Sequence, residues 1–167
     1  MKYLRLALLA LLTLAPNVWA APPTMRVDYY HTGNDKEERF SLDRVVIEPL
    51  PWPGNMSRPI DTTNRGKYLF EVRDAASNRA LYSRGFGSIY GEWETTAEAQ
   101  KMNRTFSESL RFPAVEQPAV ISLKKRDARN EFQEVWSFGI DPASKFVEKG
   151  VRTDAGPLLR IHEAGDP

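Results

Sequence analysis

The 167-residue sequence has no cysteine and only two histidines, His31 and His162. Without cysteine there can be no disulfide staple, no thiolate metal site and no lipid attached through an N-terminal thiol. So few histidines also argue against a helical zinc site. The H-E-x-x-H arrangement needs two imidazoles one turn apart, with the glutamate as general base. Here His162-Glu163 is followed by Ala164-Gly165-Asp166-Pro167, so the second histidine is missing and Gly and Pro would stop a helix. No catalytic, metal-ligating or cofactor-binding residue is assigned, and no cofactor is expected.

A large charge excess is also lacking, with 23 basic and 22 acidic residues. That balance points to neither nucleic acid nor an anionic membrane surface as a partner. Long apolar runs are limited to one, Leu6 to Ala15, which follows Lys2 and Arg5 and precedes Val18-Trp19-Ala20. About ten apolar residues fall short of the roughly 20 that span a bilayer. A basic start, a short apolar centre and small residues at a cleavage position read instead as a secretory signal peptide over residues 1–20, cut after Ala20. Its removal takes away two basic residues and no acidic one, so the formal charge falls from +1 to −1. The expected product is an exported, soluble chain, periplasmic or secreted, with no membrane attachment after cleavage. Its length suits a single domain able to bury a core without staples.

Alternation with a period of two dominates what remains. Met25, Val27 and Tyr29 alternate with Arg26, Asp28 and Tyr30, as in a strand with one face in a core. Tyr68, Phe70 and Val72 repeat the pattern, as do Phe106, Leu110 and Phe112, and then Phe132, Trp136, Phe138 and Ile140. Between Phe40 and Ile47 the phase slips, which predicts a bulge near Asp43-Arg44. Asp74 to Asn78 and Asp127 to Asn130 carry hairpin-turn chemistry. The proline-rich stretch from Pro49 to Gly66 predicts a long surface loop, because proline removes ladder donors. Thr95 with Glu98 forms a capping box, predicting one short helix over Ala97 to Met102. Seven or eight strands at this spacing, with one helical insertion, predict an all-β antiparallel β-sandwich over residues 21–150. Residues 151–167 read as a linker tail, in which Leu158, Leu159 and Ile161 are candidates for contact with another domain.

Candidate sites are few. Gly85-Phe86-Gly87-Ser88-Ile89 lacks the last glycine of a nucleophile elbow and is better explained by a tight turn. Glu92, Glu94 and Glu108 could pair for glycoside hydrolysis only at a separation that sequence does not give. Glu108 shares the parity of Phe106, Leu110 and Phe112 and should point inward, where a carboxylate needs a partner. Arg84, in phase with Ala80 and Tyr82, is the predicted partner in a structural ion pair. Trp52, Phe86, Tyr90 and Trp93 could form an aromatic platform for a sugar or peptide. The favoured reading closes the ends of the sandwich with Trp52 and Trp93.

Several blocks in order carry a family resemblance. They are Met25-Arg26-Val27-Asp28-Tyr29-Tyr30-His31-Thr32-Gly33, Leu42-Asp43-Arg44-Val45-Val46, Tyr82-Ser83-Arg84-Gly85-Phe86, Gly91-Glu92-Trp93, Thr95-Thr96-Ala97-Glu98-Ala99 and Glu108-Ser109-Leu110-Arg111-Phe112-Pro113. From about Thr24 onward the chain resembles the N-terminal domain of the IgA-peptidase family of secreted zinc metallopeptidases. Ile161 to Pro167 is similar to the junction where that family's peptidase domain begins. The resemblance implies a β-sandwich without an active site, an accessory module beside a peptidase domain held in cis or in trans. The alternative is an independent module binding an extracytoplasmic protein or glycan.

Overall fold

The computed structural model describes residues 21–151. Among these, eight strands form two four-stranded sheets: β1 (Pro23–Gly33), β2 (Glu38–Pro51), β5 (Arg104–Pro113) and β8 (Val147–Lys149) in one, and β3 (Tyr68–Asp74), β4 (Ala80–Phe86), β6 (Ala119–Arg126) and β7 (Phe132–Ile140) in the other. Strand orders are β5-β1-β2-β8 and β4-β3-β6-β7. The inward residues of β1, Met25, Val27 and Tyr29, meet those of β3 and β6, Phe70, Val72 and Ile121, in one core. This is the expected all-β sandwich. Every pairing is antiparallel except one, since β8 runs parallel to β2 through Val45–Ile47.

The phase slip in β2 is a bulge. Asp28 faces Arg44 and Tyr29 faces Leu42, leaving Asp43 as the extra residue. Beyond it the outward Asp28 is buried under Arg26 and Arg44, whose Nε atoms each lie 2.9 Å from its carboxylate. Both hairpins occur where turn residues predict them, and Asn78 and Asn130 adopt positive φ of 56° and 65°.

Two expectations are corrected. The proline segment does not leave the sheet at Pro49. β2 continues to Pro51, which pairs with Pro23. Its outer neighbour β8 covers only Val45–Ile47, so a missing donor further on interrupts no ladder there. The helix is also displaced. The one α-helix among the described residues, α1, is Ile89–Trp93, capped by the Ser88 hydroxyl, which accepts from Gly91 N. The expected capping box is spent elsewhere: Thr95 Oγ1 donates to Glu92 O, and the Glu98 carboxylate accepts from Trp93 Nε1 and Arg104. Residues 95–101 form turns.

The loop after Pro51 crosses from one sheet to the other and then lies along the outer edge of β4. Ser83 N donates to Pro59 O, and Gly85 N donates to the Asp61 carboxylate at 2.7 Å. Those bonds occupy donors that an edge strand would otherwise present to another chain.

Candidate functional site

The two ends of the sandwich differ in chemistry. At the end holding the β1–β2 turn, the inward parity of β1 places His31 in the core, 1% exposed. Its Nε2 lies 2.9 Å from a Glu38 oxygen on β2, and its Nδ1 lies 3.2 Å from a Glu108 oxygen on β5. Ionised carboxylates only accept, so a ring bonded to both must donate from both nitrogens and is an imidazolium. Burial alone would lower the His31 pKa, but the bonds to Glu108 and Glu38 outweigh it and raise it. Burial pushes both carboxyls up, and again their partners win. His31, Lys125 and Tyr68 hold Glu38 low, while His31 and Tyr29 hold Glu108 low.

The cluster extends past the histidine. Tyr29 and Tyr68 donate to Glu108 and Glu38, each at 2.8 Å, and burial followed by those carboxylates pushes both phenols up. Lys125 lies 3.1 Å from Glu38 and 2.9 Å from Glu94, and Lys67 also sits against Glu94. Three carboxylates thus meet three cations, counting His31. Aromatic rings enclose the set. Tyr90 stacks on His31 at 3.7 Å with an interplanar angle of 20°, and Phe40 lies against it at 4.2 Å. The Tyr90 hydroxyl is 2.7 Å from Asn34 O and 2.9 Å from Glu37 O, which ties α1 to the β1–β2 turn. Gly33 permits this approach, since a Cβ there would stand 2.5 Å from the Tyr90 oxygen and 2.0 Å from Glu37 O.

The predicted Arg84–Glu108 pair does not form. β5 pairs with β1 in one sheet, whereas Arg84 sits on β4 in the other, exposed, with its guanidinium donating to the Tyr82 hydroxyl. Glu108 does point inward as its parity requires, but its cation is His31. The aromatic platform is also absent as drawn. Tyr90 and Trp93 are buried, Phe86 packs on the core, and Trp52 stands edge-on to Tyr82. Trp52 and Phe86 pack against the main core, and Tyr90 and Trp93 form a second cluster with Ala99 and Phe106. Leu158, Leu159 and Ile161 lie outside the described residues. His31, Glu38 and Lys125 gave no sequence signal as a unit, because their meeting depends on strand order.

This end does not fit a zinc site. Glu38 and Glu108 flank opposite ring nitrogens, so their oxygens and the imidazole do not converge on one point. Among the described residues no group of three or more His, Cys, Asp or Glu is placed to hold a metal ion.

At the opposite end, where β1 begins and β5 ends, an open apolar cleft of about 330 Å³ lies between the sheets. Met56, Pro59, Leu81, Tyr82 and Val115 form much of its wall, with Pro22 at one side. Asp74, Arg79 and Glu116 stand among its lining residues. An adjoining hollow of about 360 Å³ at Ala75, Ala76 and Pro118 shares Asp74 and Gln117 with it. Apolar walls with a few charged groups suit an apolar ligand or peptide segment.

No curated relative matches the chain. The family model described as Peptidase M64 N-terminus matches residues 17–137, well over half of the sequence and most of both sheets. The matched span holds the bulged β2, α1 and the whole His31 cluster, and on it this chain belongs to the N-terminal domain family of the M64 peptidases.

Proposed function

We propose that the protein is an exported, non-catalytic accessory module whose sandwich packs against a zinc peptidase domain, in cis or in trans, or recruits substrate for it. The observation that carries this reading is the match to a peptidase N-terminal domain across residues 17–137. The chemistry of the described residues agrees with it. His31 has both nitrogens engaged by carboxylates, and Glu108 is enclosed beside Tyr29 and α1, so neither is free to act on a substrate. Export to the periplasm or beyond rests on the composition of residues 1–20.

The test uses mature protein beginning at Ala21 and an H-E-x-x-H peptidase domain from a relative. Equimolar binding is expected, with a lower KM for a protein substrate and an unchanged kcat. No binding together with no change in KM overturns the accessory role. Chelator-sensitive cleavage by the mature protein alone overturns its non-catalytic character. The apolar cleft favours a second reading, an independent extracytoplasmic module for a protein or glycan. Binding of such a ligand, with no affinity for the peptidase domain, selects it.

A further inference from the structure

We propose that the apolar cleft at the Pro22 end is the docking site for this chain's own C-terminal segment, Leu158-Leu159-Arg160-Ile161. The path of the chain points there. β8 runs parallel to β2, and Gly150 N donates to Ile47 O at 2.9 Å, so the chain leaves the sheet heading along β2 toward Pro51. Pro51 pairs with Pro23, and Pro22 lines the cleft. The exit of the chain and the cleft therefore share one end of the sandwich.

The reach is sufficient. From β8 to β5, three strand spacings amount to about 14 Å. Four residues from Ile47 to Pro51 add about 13 Å along the strand, giving about 20 Å in all. Eight residues from Val151 to Leu159 span up to about 26 Å when extended. The tail also has the right pattern. In an extended segment Leu159 and Ile161 share one face, which suits the wall formed by Leu81, Tyr82 and Val115. Arg160 would then fall on the other face, toward lining that carries Glu116 and Asp74 together with Arg79. Docking would cover Met56, which is 48% exposed. None of this requires a peptidase domain, so the proposal and the accessory role fail separately.

The absence of cysteine makes the test clean. In mature full-length protein, Val115→Cys with Leu159→Cys is compared with Ala143→Cys with Leu159→Cys. Ala143 is exposed in the β7–β8 connection, at the same end of the sandwich and nearer the exit of the tail. Mild oxidation should close the first pair within one chain about tenfold faster, because docking raises the local concentration. Equal rates overturn the proposal. A disulfide that appears only between chains, and only at high protein concentration, also overturns it and assigns the cleft to a second copy. In the cysteine-free protein, Leu159→Asp should increase hydrogen exchange at Tyr82 and Val115, whereas Ala164→Asp should not. Unchanged exchange in both variants counts against docking.

Discussion

Glu108 shows how much one carboxylate can organise when it is buried. It accepts from Tyr29, His31 and the Tyr90 amide, so it joins β1, β5 and α1. Breaking a buried ion pair from one side costs about 3 to 5 kcal/mol. Glu108→Gln should therefore lower the unfolding midpoint by several degrees, while Arg84→Gln at an exposed edge should change it little; thermal denaturation of both variants checks this. The same cluster fixes a pH profile. The His31 pKa is raised above its ordinary 6.5, so its contribution is complete below that value and is lost as pH rises through the folded pKa. Glu38 and Glu108 are lowered below 4.5, so theirs is present above that value and is lost as pH falls through the folded pKa. Stability should peak between about 4.5 and 6.5 on this account, and His31→Gln should flatten the alkaline limb of a midpoint-against-pH curve. An unchanged alkaline limb would refute the assignment. The inward direction of Glu108 was legible from the parity of Phe106, Leu110 and Phe112. Its partner was not, because alternation reports which face a residue occupies and says nothing of which strand lies beside it.

Elements whose signal was local were readable, and those fixed by tertiary contacts were not. The Asp43 bulge announced itself as a break in phase, and the hairpins at Asn78 and Asn130 through residues that tolerate positive φ. Thr95 and Glu98 gave a sound helix signal that tertiary partners overrode, since Trp93 and Arg104 claim the Glu98 carboxylate. β8 is three residues long, too short for any period to register. The long loop was recognised as a loop, but its role as cover for β4 was not. Gly85 is the position where that cover fits closely, for a Cβ there would stand 2.0 Å from Arg65 O. Gly85→Ala should push the loop off the β4 edge, at an overpacking cost of about 1 to 3 kcal/mol. The expected readouts are faster proteolysis within residues 59–66 and concentration-dependent aggregation through the freed edge. A variant with the parent's cleavage rate and solubility would mean that the loop protects nothing.

The whole molecule combines a readable architecture with a site that only folding assembles. A sandwich followed from alternation and turn chemistry, and the family from ordered blocks. The charged end depended on β1 lying between β2 and β5. That arrangement bears on metal binding across the chain. Only His31 and His162 offer imidazole nitrogen, and His31 is already held between Glu38 and Glu108. Zinc would need it deprotonated and released from two carboxylates, against the raised pKa. The acids nearby are neutralised in turn, Glu94 by Lys67 and Lys125, Glu38 by Lys125 and His31. A ligand present at 100 times its Kd stabilises a folded protein by about 2.7 kcal/mol, which at this size shifts the midpoint by several degrees. Mature protein should show no such shift on adding 100 µM zinc, a concentration of about 100 Kd for a micromolar site. Elemental analysis after dialysis should likewise find far less than one zinc per chain. One equivalent of retained zinc, with a midpoint that rises on loading and falls with chelator, would overturn the expectation that this domain takes up no zinc.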